Sequence, residues 1–239
     1  MKTKKNIFIT MIGAVLLISS CAPAYIPNVI NAPLLSNKNE FQGKLTGGTS
    51  GFDNQLSYAI TDNIGVMVNG SYNYRNDSST YHKHYFVETG LGYYRKLQEA
   101  GRLEIFGGYG YGDVKITEKD WFYQNNIYTN AYYQRFFIQP SLGAVTNVFE
   151  GSFSTRYSLV NMHFREGDDN DMSMNNSYIS FLEPAITVKL GYKYVKYVAQ
   201  VGFSVPIYGK TEQMYSFQPF IFSMGINVKI GQKYLDDKK

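Results

Sequence analysis

Residues 215–231 read YSFQPFIFSMGINVKIG, and from Phe220 onward their side chains alternate between two classes. One class is large and apolar and comprises Phe220, Phe222, Met224, Ile226, Val228 and Ile230. The other is small or polar and comprises Ser223, Gly225, Asn227 and Lys229. Because successive side chains of a β-strand point to opposite faces of a sheet, the pattern predicts a strand with one apolar and one polar face.

Extended segments of this kind recur along most of the chain. We predict ten strands, at 40–48, 53–61, 64–75, 82–96, 102–114, 132–148, 151–164, 177–191, 196–208 and 215–231. The breaks alternate between short turns, at 61–63, 98–101, 149–151 and around Lys193, and longer polar loops, at 76–81, 115–131, 165–176 and 209–214. Outer-membrane barrels have this asymmetry, with short periplasmic turns and longer external loops. The sequence therefore predicts an all-β fold, a transmembrane antiparallel up-and-down β-barrel of ten strands within a range of eight to twelve, with periplasmic termini.

A soluble β-sandwich would show the same alternation with its polar face in water. Two features favour a membrane barrel instead: the polar faces are rich in Gly, Ser and Ala, which suits a narrow lumen, and the apolar faces end in aromatic residues. The chain has 22 Tyr and 16 Phe. We expect Tyr72, Tyr74, Tyr109, Tyr111, Tyr132 and Tyr178 at the outer rim, and Tyr93, Phe153, Tyr192, Tyr197 and Tyr234 at the inner rim.

The N-terminus has the three parts of an export signal. A basic start is followed by an apolar run from Ile7 to Ile18 and then by Ser19-Ser20-Cys21, and this run is too short to span a bilayer as a helix. Ser19-Ser20-Cys21 resembles the lipobox of bacterial lipoproteins, and the resemblance implies that Cys21 is lipidated. Cys21 is also the single cysteine of the chain, so it has no disulfide partner. We therefore expect a lipoprotein signal peptide at 1–20, a lipidated N-terminus and linker at 21–39, and the barrel at 40–239. The linker is unusually apolar, so we expect part of it to pack against something.

The basic formal charge of the chain comes mainly from the export signal. The chain has 23 Lys+Arg and 19 Asp+Glu, a net charge of +4, and removing Lys2, Lys4 and Lys5 leaves 20 against 19, a net of +1. A near-neutral mature chain does not suggest nucleic acid or an acidic ligand as a partner.

Several charged residues fall on the predicted lumen face of the strands. They are Lys44, Glu88, Glu104, Arg156, Glu183, Lys189 and Lys229. A ten-stranded barrel is only slightly wider than an eight-stranded one, whose interior is filled by side chains, so charges inside it must pair. We interpret them as a lumen charge network that fills the barrel, and a narrow polar pore for small solutes is the alternative.

Few residues suggest catalysis or metal binding. His82 and His84 share one strand face, and His163 precedes a loop that contains Asp168, Asp169 and Asp171. These acidic residues and His163 resemble the residue types of omptins, ten-stranded outer-membrane proteases, but all come from one loop, and general-base catalysis needs convergence from several. An omptin-like protease is thus a remote alternative. We expect no metal, no enzyme activity and no cofactor other than the covalent lipid on Cys21.

The predicted loop 115–131 is the most aromatic one. It contains Trp121, Phe122, Tyr123 and Tyr128. Such a surface is suited to binding a protein or a glycan, although folding over the barrel mouth would explain it equally well.

Three stretches resemble lipid-anchored outer-membrane β-barrel proteins of Bacteroidota that have no assigned activity. They are the lipobox at Cys21, the segment Tyr25–Pro33, and Thr49–Asp53 followed by Tyr58–Asp62. The resemblance implies location and fold, not mechanism. It implies outer-membrane lipid as a partner, and Ala22-Pro23-Ala24-Tyr25 lacks the acidic residues of surface-exposed lipoproteins in that group, which implies a lipid in the periplasmic leaflet. We therefore predict a lipid-anchored barrel with a structural or interaction role.

Overall fold

The computed structural model describes residues 23–77, 80–119, 126–166, 177–209 and 215–231. All regular secondary structure in these ranges is β-strand. The strands are β1 (Phe41–Gly48), β2 (Gly51–Ala59), β3 (Ile64–Asn76), β4 (Thr80–Leu97), β5 (Gly101–Lys119), β6 (Asn126–Val145), β7 (Phe149–Glu166), β8 (Ser177–Tyr192), β9 (Val195–Phe203), β10 (Val205–Tyr208) and β11 (Phe220–Ile230).

These strands close into one antiparallel barrel. Each strand from β1 to β8 pairs with the next one along the chain, β9 pairs with β11, and β11 pairs with β1. β9 and β10 are one barrel strand interrupted at Ser204, because both pair with β8. Glu183 and Pro184 of β8 have no pairing partner on β9 or β10. This interruption is expected beside a proline, which has no N–H to donate. The predicted up-and-down barrel of ten strands is confirmed.

The strand bounds agree with the alternation except near the longer loops. β3 and β8 begin at the predicted residues, Ile64 and Ser177. β5, however, continues to Lys119, and β6 begins at Asn126, which pairs with Lys119. Most of the predicted loop 115–131 is therefore strand. The prediction was wrong there because these residues lie beyond the apolar alternation that defined the strands.

The barrel has two unlike ends. At the turn end, β2 is joined to β3 by residues 60–63, β4 to β5 by 98–100, β6 to β7 by 146–148 and β8 to β9 by 193–194. At the loop end lie the connections 49–50, 77–79, 120–125, 167–176 and 209–219. Because β1 begins opposite the last residue of β11, with Phe41 paired to Ile230, both belong to the turn end.

The outward face of the barrel is apolar. Exposed side chains along the strands include Val68, Leu91, Ile105, Ile138, Ile186, Val201 and Met224. Of the expected rim aromatics, Tyr72, Tyr74, Tyr109, Tyr111, Tyr178, Tyr93, Phe153, Tyr192 and Tyr197 are exposed, Tyr132 is half-buried, and Tyr234 lies outside the described residues. An apolar belt with aromatic rims is the surface of an outer-membrane barrel, so the chain has this type of fold.

Among the described residues, no helix is long and apolar enough to cross a membrane.

The belt predicts a depth-dependent effect of charge on stability. Ile186 lies on β8 about midway between the rim residues Tyr178 and Tyr192, and it is 59% exposed. An arginine there would lie in the middle of the hydrocarbon, so we expect Ile186→Arg to reduce the free energy of unfolding by about 2–4 kcal/mol. The measurement is urea-induced unfolding in lipid vesicles, followed by heat-modifiable gel migration.

Tyr192→Arg is the matched control, because it places the same charge at the rim of the same strand. The expected loss is about 1 kcal/mol or less. Equal losses at the two positions would show that this face does not contact lipid.

Candidate functional site

The barrel interior is occupied by the N-terminal part of the chain. Residues 24–37, here called the lumen segment, are all buried, and Tyr25, Val29, Ile30, Ala32, Leu34 and Leu35 have no exposed surface. Pro27 and Pro33 reduce the number of backbone N–H groups that need a partner in this confined space. The apolar linker therefore does pack, against the inner wall of the barrel.

The lumen segment crosses the barrel from end to end. At the loop end, the Tyr25 N–H donates to the Ser216 carbonyl at 3.0 Å, and the Gln218 N–H donates to the Tyr25 carbonyl at 3.0 Å. At the turn end, the Asn37 side-chain amide donates to the Gly231 carbonyl at 2.7 Å. The chain then reverses through Asn39, which has a φ of 66°, and enters β1. The even strand count predicts both termini at the turn end, whereas the first described residues, next to Ser216, lie at the loop end.

Asn28 is the centre of one group of buried charges. Its side-chain oxygen accepts from Arg135 at 2.6 Å and from Arg156 at 2.9 Å, and its amide donates to Glu88 at 2.9 Å. Arg135 also forms an ion pair with Glu88, and Arg156 forms one with Glu183 at 2.5 Å. We call these four charged residues of the wall the arginine cluster.

Tyr25 joins the other side of the same cluster. Its hydroxyl donates to Glu183 at 2.9 Å and accepts from Arg135 at 3.1 Å. Its ring stacks on Phe181 at 4.8 Å between centroids and meets Tyr133 edge-on at 5.4 Å. One side chain of the lumen segment thus connects the charged cluster to an aromatic cluster nearer the loop end.

The backbone of the lumen segment is bound by polar side chains of the wall. The Ile30 carbonyl accepts from Lys44 at 3.0 Å and from Gln200 at 2.9 Å, and the Ile30 N–H donates to Gln200 at 2.8 Å. The Ala32 carbonyl accepts from Lys189 at 3.2 Å. The segment adds no strand to the wall, and its peptide groups instead satisfy side chains that point inward.

Carboxylates complete this backbone binding. The Val29 N–H donates to Asp53 at 3.2 Å, and the Leu35 N–H donates to Glu104 at 2.7 Å. Hydrogen bonds from N–H groups to a carboxylate are charge-assisted, and therefore stronger than those between neutral groups.

A second group of charges lies nearer the turn end. Glu150 accepts from Lys196 at 3.0 Å and lies 3.2 Å from Lys189 and 2.9 Å from Lys229. Lys229 also lies 3.7 Å from Glu40. Glu40 precedes β1, and burial raises the pKa of its carboxyl above the ordinary value, while Lys229 and the Ser36 N–H act in the opposite direction. We call these five residues the lysine cluster.

Small wall residues make room for the two leucines of the lumen segment. A Cβ added to Gly65 would lie 2.5 Å from the Leu35 Cδ1, and one added to Gly143 would lie 2.8 Å from the Leu34 side chain. Leu34 itself has a φ of 54°, an uncommon conformation for a residue other than glycine. Close packing on both sides leaves little free space at this level.

All seven residues of the expected lumen charge network are buried. The structure brings Glu88, Arg156 and Glu183 together in the arginine cluster, and Lys189 and Lys229 in the lysine cluster, whereas Lys44 and Glu104 bind the lumen segment. Six further charged residues are buried and were not predicted from the sequence: Glu40, Asp53, Arg102, Arg135, Glu150 and Lys196. Strand alternation could have found Arg135, which shares its face with Tyr133 and Phe137, but Glu150 was assigned to a turn.

Inside the described residues, the buried charges nearly balance. Seven are cationic and six are anionic: Lys44, Arg102, Arg135, Arg156, Lys189, Lys196 and Lys229 against Glu40, Asp53, Glu88, Glu104, Glu150 and Glu183. An unpaired buried charge costs several kcal/mol, so near-neutrality is what a closed interior requires.

The histidines take different positions. His82 and His84 both point inward, and the His84 Nε2 lies 2.8 Å from the Tyr133 hydroxyl. His163 lies on β7, where its ring stacks on Tyr132 at 4.7 Å. No group of three or more His, Cys, Asp or Glu side chains suited to a metal ion occurs among the described residues.

Most of the expected contact residues, the candidate lipidation site and the acidic residues near His163 lie outside the described residues. They are Trp121, Phe122, Tyr123, Cys21, Asp168, Asp169 and Asp171. Tyr128 is described and is not in a loop: it lies on β6, paired with Thr117, and its side chain is exposed.

The arginine cluster predicts a large effect of removing one carboxylate. Replacing Glu88 by Gln leaves Arg135 with a neutral partner in place of its ion pair. We expect Glu88→Gln to lower the free energy of unfolding by about 3–5 kcal/mol, measured by urea unfolding in vesicles. Glu99→Gln, in an exposed turn, is the control and should change it by less than about 0.5 kcal/mol. Similar values for both variants would contradict the cluster's role.

Gly65 and Leu35 provide a double-mutant test of the packing in the lumen. A valine at Gly65 would collide with the Leu35 side chain, so we expect Gly65→Val to destabilise the protein by about 1–3 kcal/mol. Leu35→Ala removes the collision, so the double variant should be more stable than the sum of the two single changes predicts. Additive changes in the urea midpoint would mean that the two side chains do not touch.

Comparisons with known proteins give a distant structural similarity. No family model and no curated protein matches the chain. Among solved structures, the chain is similar to the translocator domain of the autotransporter NalP from Neisseria meningitidis, with 10% identity, coverage of 79% of this chain and 86% of that chain, and a TM-score of 0.44.

Proposed function

We propose that this protein is a lipid-anchored outer-membrane barrel that is sealed by its own lumen segment and has a structural or interaction role. The observation that carries the proposal is the burial of residues 24–37 inside the barrel. Transport through this lumen would require the segment to leave, and a filled lumen has no continuous water path for a solute.

The contacts of the lumen segment argue against a narrow pore. The wall holds it at three levels: through Tyr25 and Asn28 at the arginine cluster, through the peptide groups of Val29 and Ile30, and through Leu34 and Leu35 near the turn end. Opening a path would break these contacts and expose the arginine cluster to water. The charges inside the barrel thus hold a closed state together.

The surroundings of the candidate catalytic groups support the proposal of a non-enzymatic role. His84 is buried against Tyr133, so a substrate at the barrel mouth has no direct access to its ring. His163 stacks on Tyr132 and contacts Asn161 at 2.9 Å, rather than a carboxylate, in the described part of the chain. A general base needs both access and an orienting group.

The loop end is the proposed contact surface. β5 extends over 19 residues, about 60 Å along the strand, which gives a height of roughly 45 Å at the tilt of a membrane barrel. The apolar belt of such barrels is only about 25 Å tall, so the wall projects into solvent here. Its outward face bears Arg165, which pairs with Asp113 at 2.7 Å and lies over the Tyr132 ring. A protein or glycan is the proposed partner of this projection and of the aromatic residues at 121–123.

The sealed barrel predicts a difference in conductance. In planar bilayers we expect the full-length protein to give no stable conductance. Deletion of residues 24–36 should give one, because the emptied lumen is lined by charged side chains that water can hydrate. Heat-modifiable gel migration would show that the deletion variant has folded.

A crosslink controls for occupancy of the lumen. The Asn31 side-chain amide donates to the Ser57 hydroxyl at 2.9 Å, so the double variant Asn31→Cys/Ser57→Cys should be joined by a short thiol crosslinker in the membrane, whereas the single variants should not. Stable conductance from the crosslinked barrel would contradict the proposal, and so would stable conductance from the full-length protein.

A further inference from the structure

The N-terminal and C-terminal parts of the described chain lie at opposite ends of the barrel. Ile230, the last residue of β11, pairs with Phe41 at the turn end. The Ala24 N–H donates to the Ser216 hydroxyl at 3.0 Å, and Tyr25 forms a parallel bridge with Phe217. Ser216 and Phe217 belong to the connection between β10 and β11, which is at the loop end.

The contacts between these two points follow the order of the chain. From the loop end downward they are Tyr25 to Gln218, Asn28 to the arginine cluster, Ile30 to Lys44, Leu35 to Glu104, and Asn37 to Gly231. From Tyr25 to Asn39 an extended chain spans about 46 Å, enough to cross the roughly 25 Å apolar belt of a membrane barrel once. The segment therefore traverses the lumen and does not fold back within it.

We infer that the chain N-terminal to Pro23 leaves the barrel at the loop end, on the side of the membrane opposite the end of β11. This inference rests on the proposed lipid-anchored barrel, and it adds the membrane leaflet that holds the lipid. Cys21 lies outside the described residues, but two residues span at most about 7 Å. Acyl chains on Cys21 would therefore insert into the leaflet at the loop end, which is the external leaflet if the short turns are periplasmic.

The inferred position of the lipid, in the leaflet at the loop end, is opposite to the one that the sequence implies. The even strand count and the residues after Cys21 imply the leaflet at the turn end. An even number of strands fixes the side on which β1 begins, but the chain before β1 crosses the membrane once more, through the lumen. A surface-exposed lipid then needs no separate export signal in residues 22–25, because the barrel itself carries the N-terminus across.

The lining of the lumen also indicates how this arrangement forms. Thirteen buried charged side chains surround the path, and a diacylated cysteine would lose its apolar surroundings on passing them after closure. A lipidated N-terminus at the loop end therefore requires a barrel that closes around the segment.

The test compares four epitope-tagged versions of the full-length protein in intact and permeabilised cells. The tags stand between Ala22 and Pro23, within 120–125, within the turn 98–100, and after Lys239. We expect the N-terminal tag to show the same accessibility as the 120–125 tag, and the C-terminal tag to follow the turn tag. An N-terminal tag that follows the C-terminal tag would overturn the inference, whichever way the barrel faces.

Two further measurements separate this inference from the proposed function. Palmitate labelling that is lost in Cys21→Ser tests the lipid, and conductance tests the seal. A silent barrel whose N-terminal tag lies with the turn tag would refute the crossing but leave the sealed barrel intact. An N-terminal tag at the loop end without palmitate labelling would support the crossing and refute the lipid anchor.

Discussion

The interior of a small membrane barrel must satisfy every polar group that points into it, because neither lipid nor bulk water can do so there. In this protein thirteen charged side chains point inward among the described residues. Ion pairs across the wall satisfy some of them, as in the contact between Arg156 and Glu183. Other charged side chains meet peptide groups of the lumen segment: Lys44 and Lys189 donate to its carbonyls, and Asp53 and Glu104 accept from its N–H groups. The position of residues 24–37 thus follows from the same constraint that shapes the wall.

The fold could be predicted largely from strand alternation. Apolar and small residues at period two predicted β3 and β8 closely, and the same parity placed Glu88, Lys189 and Lys229 inside the barrel. Alternation did not predict the strand ends near the longer loops, where the outward side chains do not face lipid. The ends of β5 and β6 project beyond the apolar belt, so their outward side chains have no reason to be hydrophobic, and they read as loop.

The contacts of the site could not be predicted in the same way. The alternation along a strand predicts which residues point inward. The tilt and stagger of the strands determine which of these inward residues face each other across the lumen. Arg135 and Glu150, which belong to the arginine and lysine clusters, therefore had no sequence signal as partners. The lumen segment did have a sequence signal, because its apolar composition predicted that it packs against another part of the protein. Its direction depends on contacts such as Tyr25 with Gln218, more than 190 residues apart in the chain.

The composition of the lumen segment fits its position. Residues 24–37 carry no charged side chain, so their insertion leaves the balance of seven cations and six anions unchanged. Asparagine suits the centre of such a segment because its amide both donates and accepts, and Asn28 uses both functions at once, toward Glu88 and toward the two arginines. A charged residue there would pair with one cluster member and repel another. A neutral segment can therefore be held tightly by a charged wall, and it is also the kind of segment around which the barrel can close.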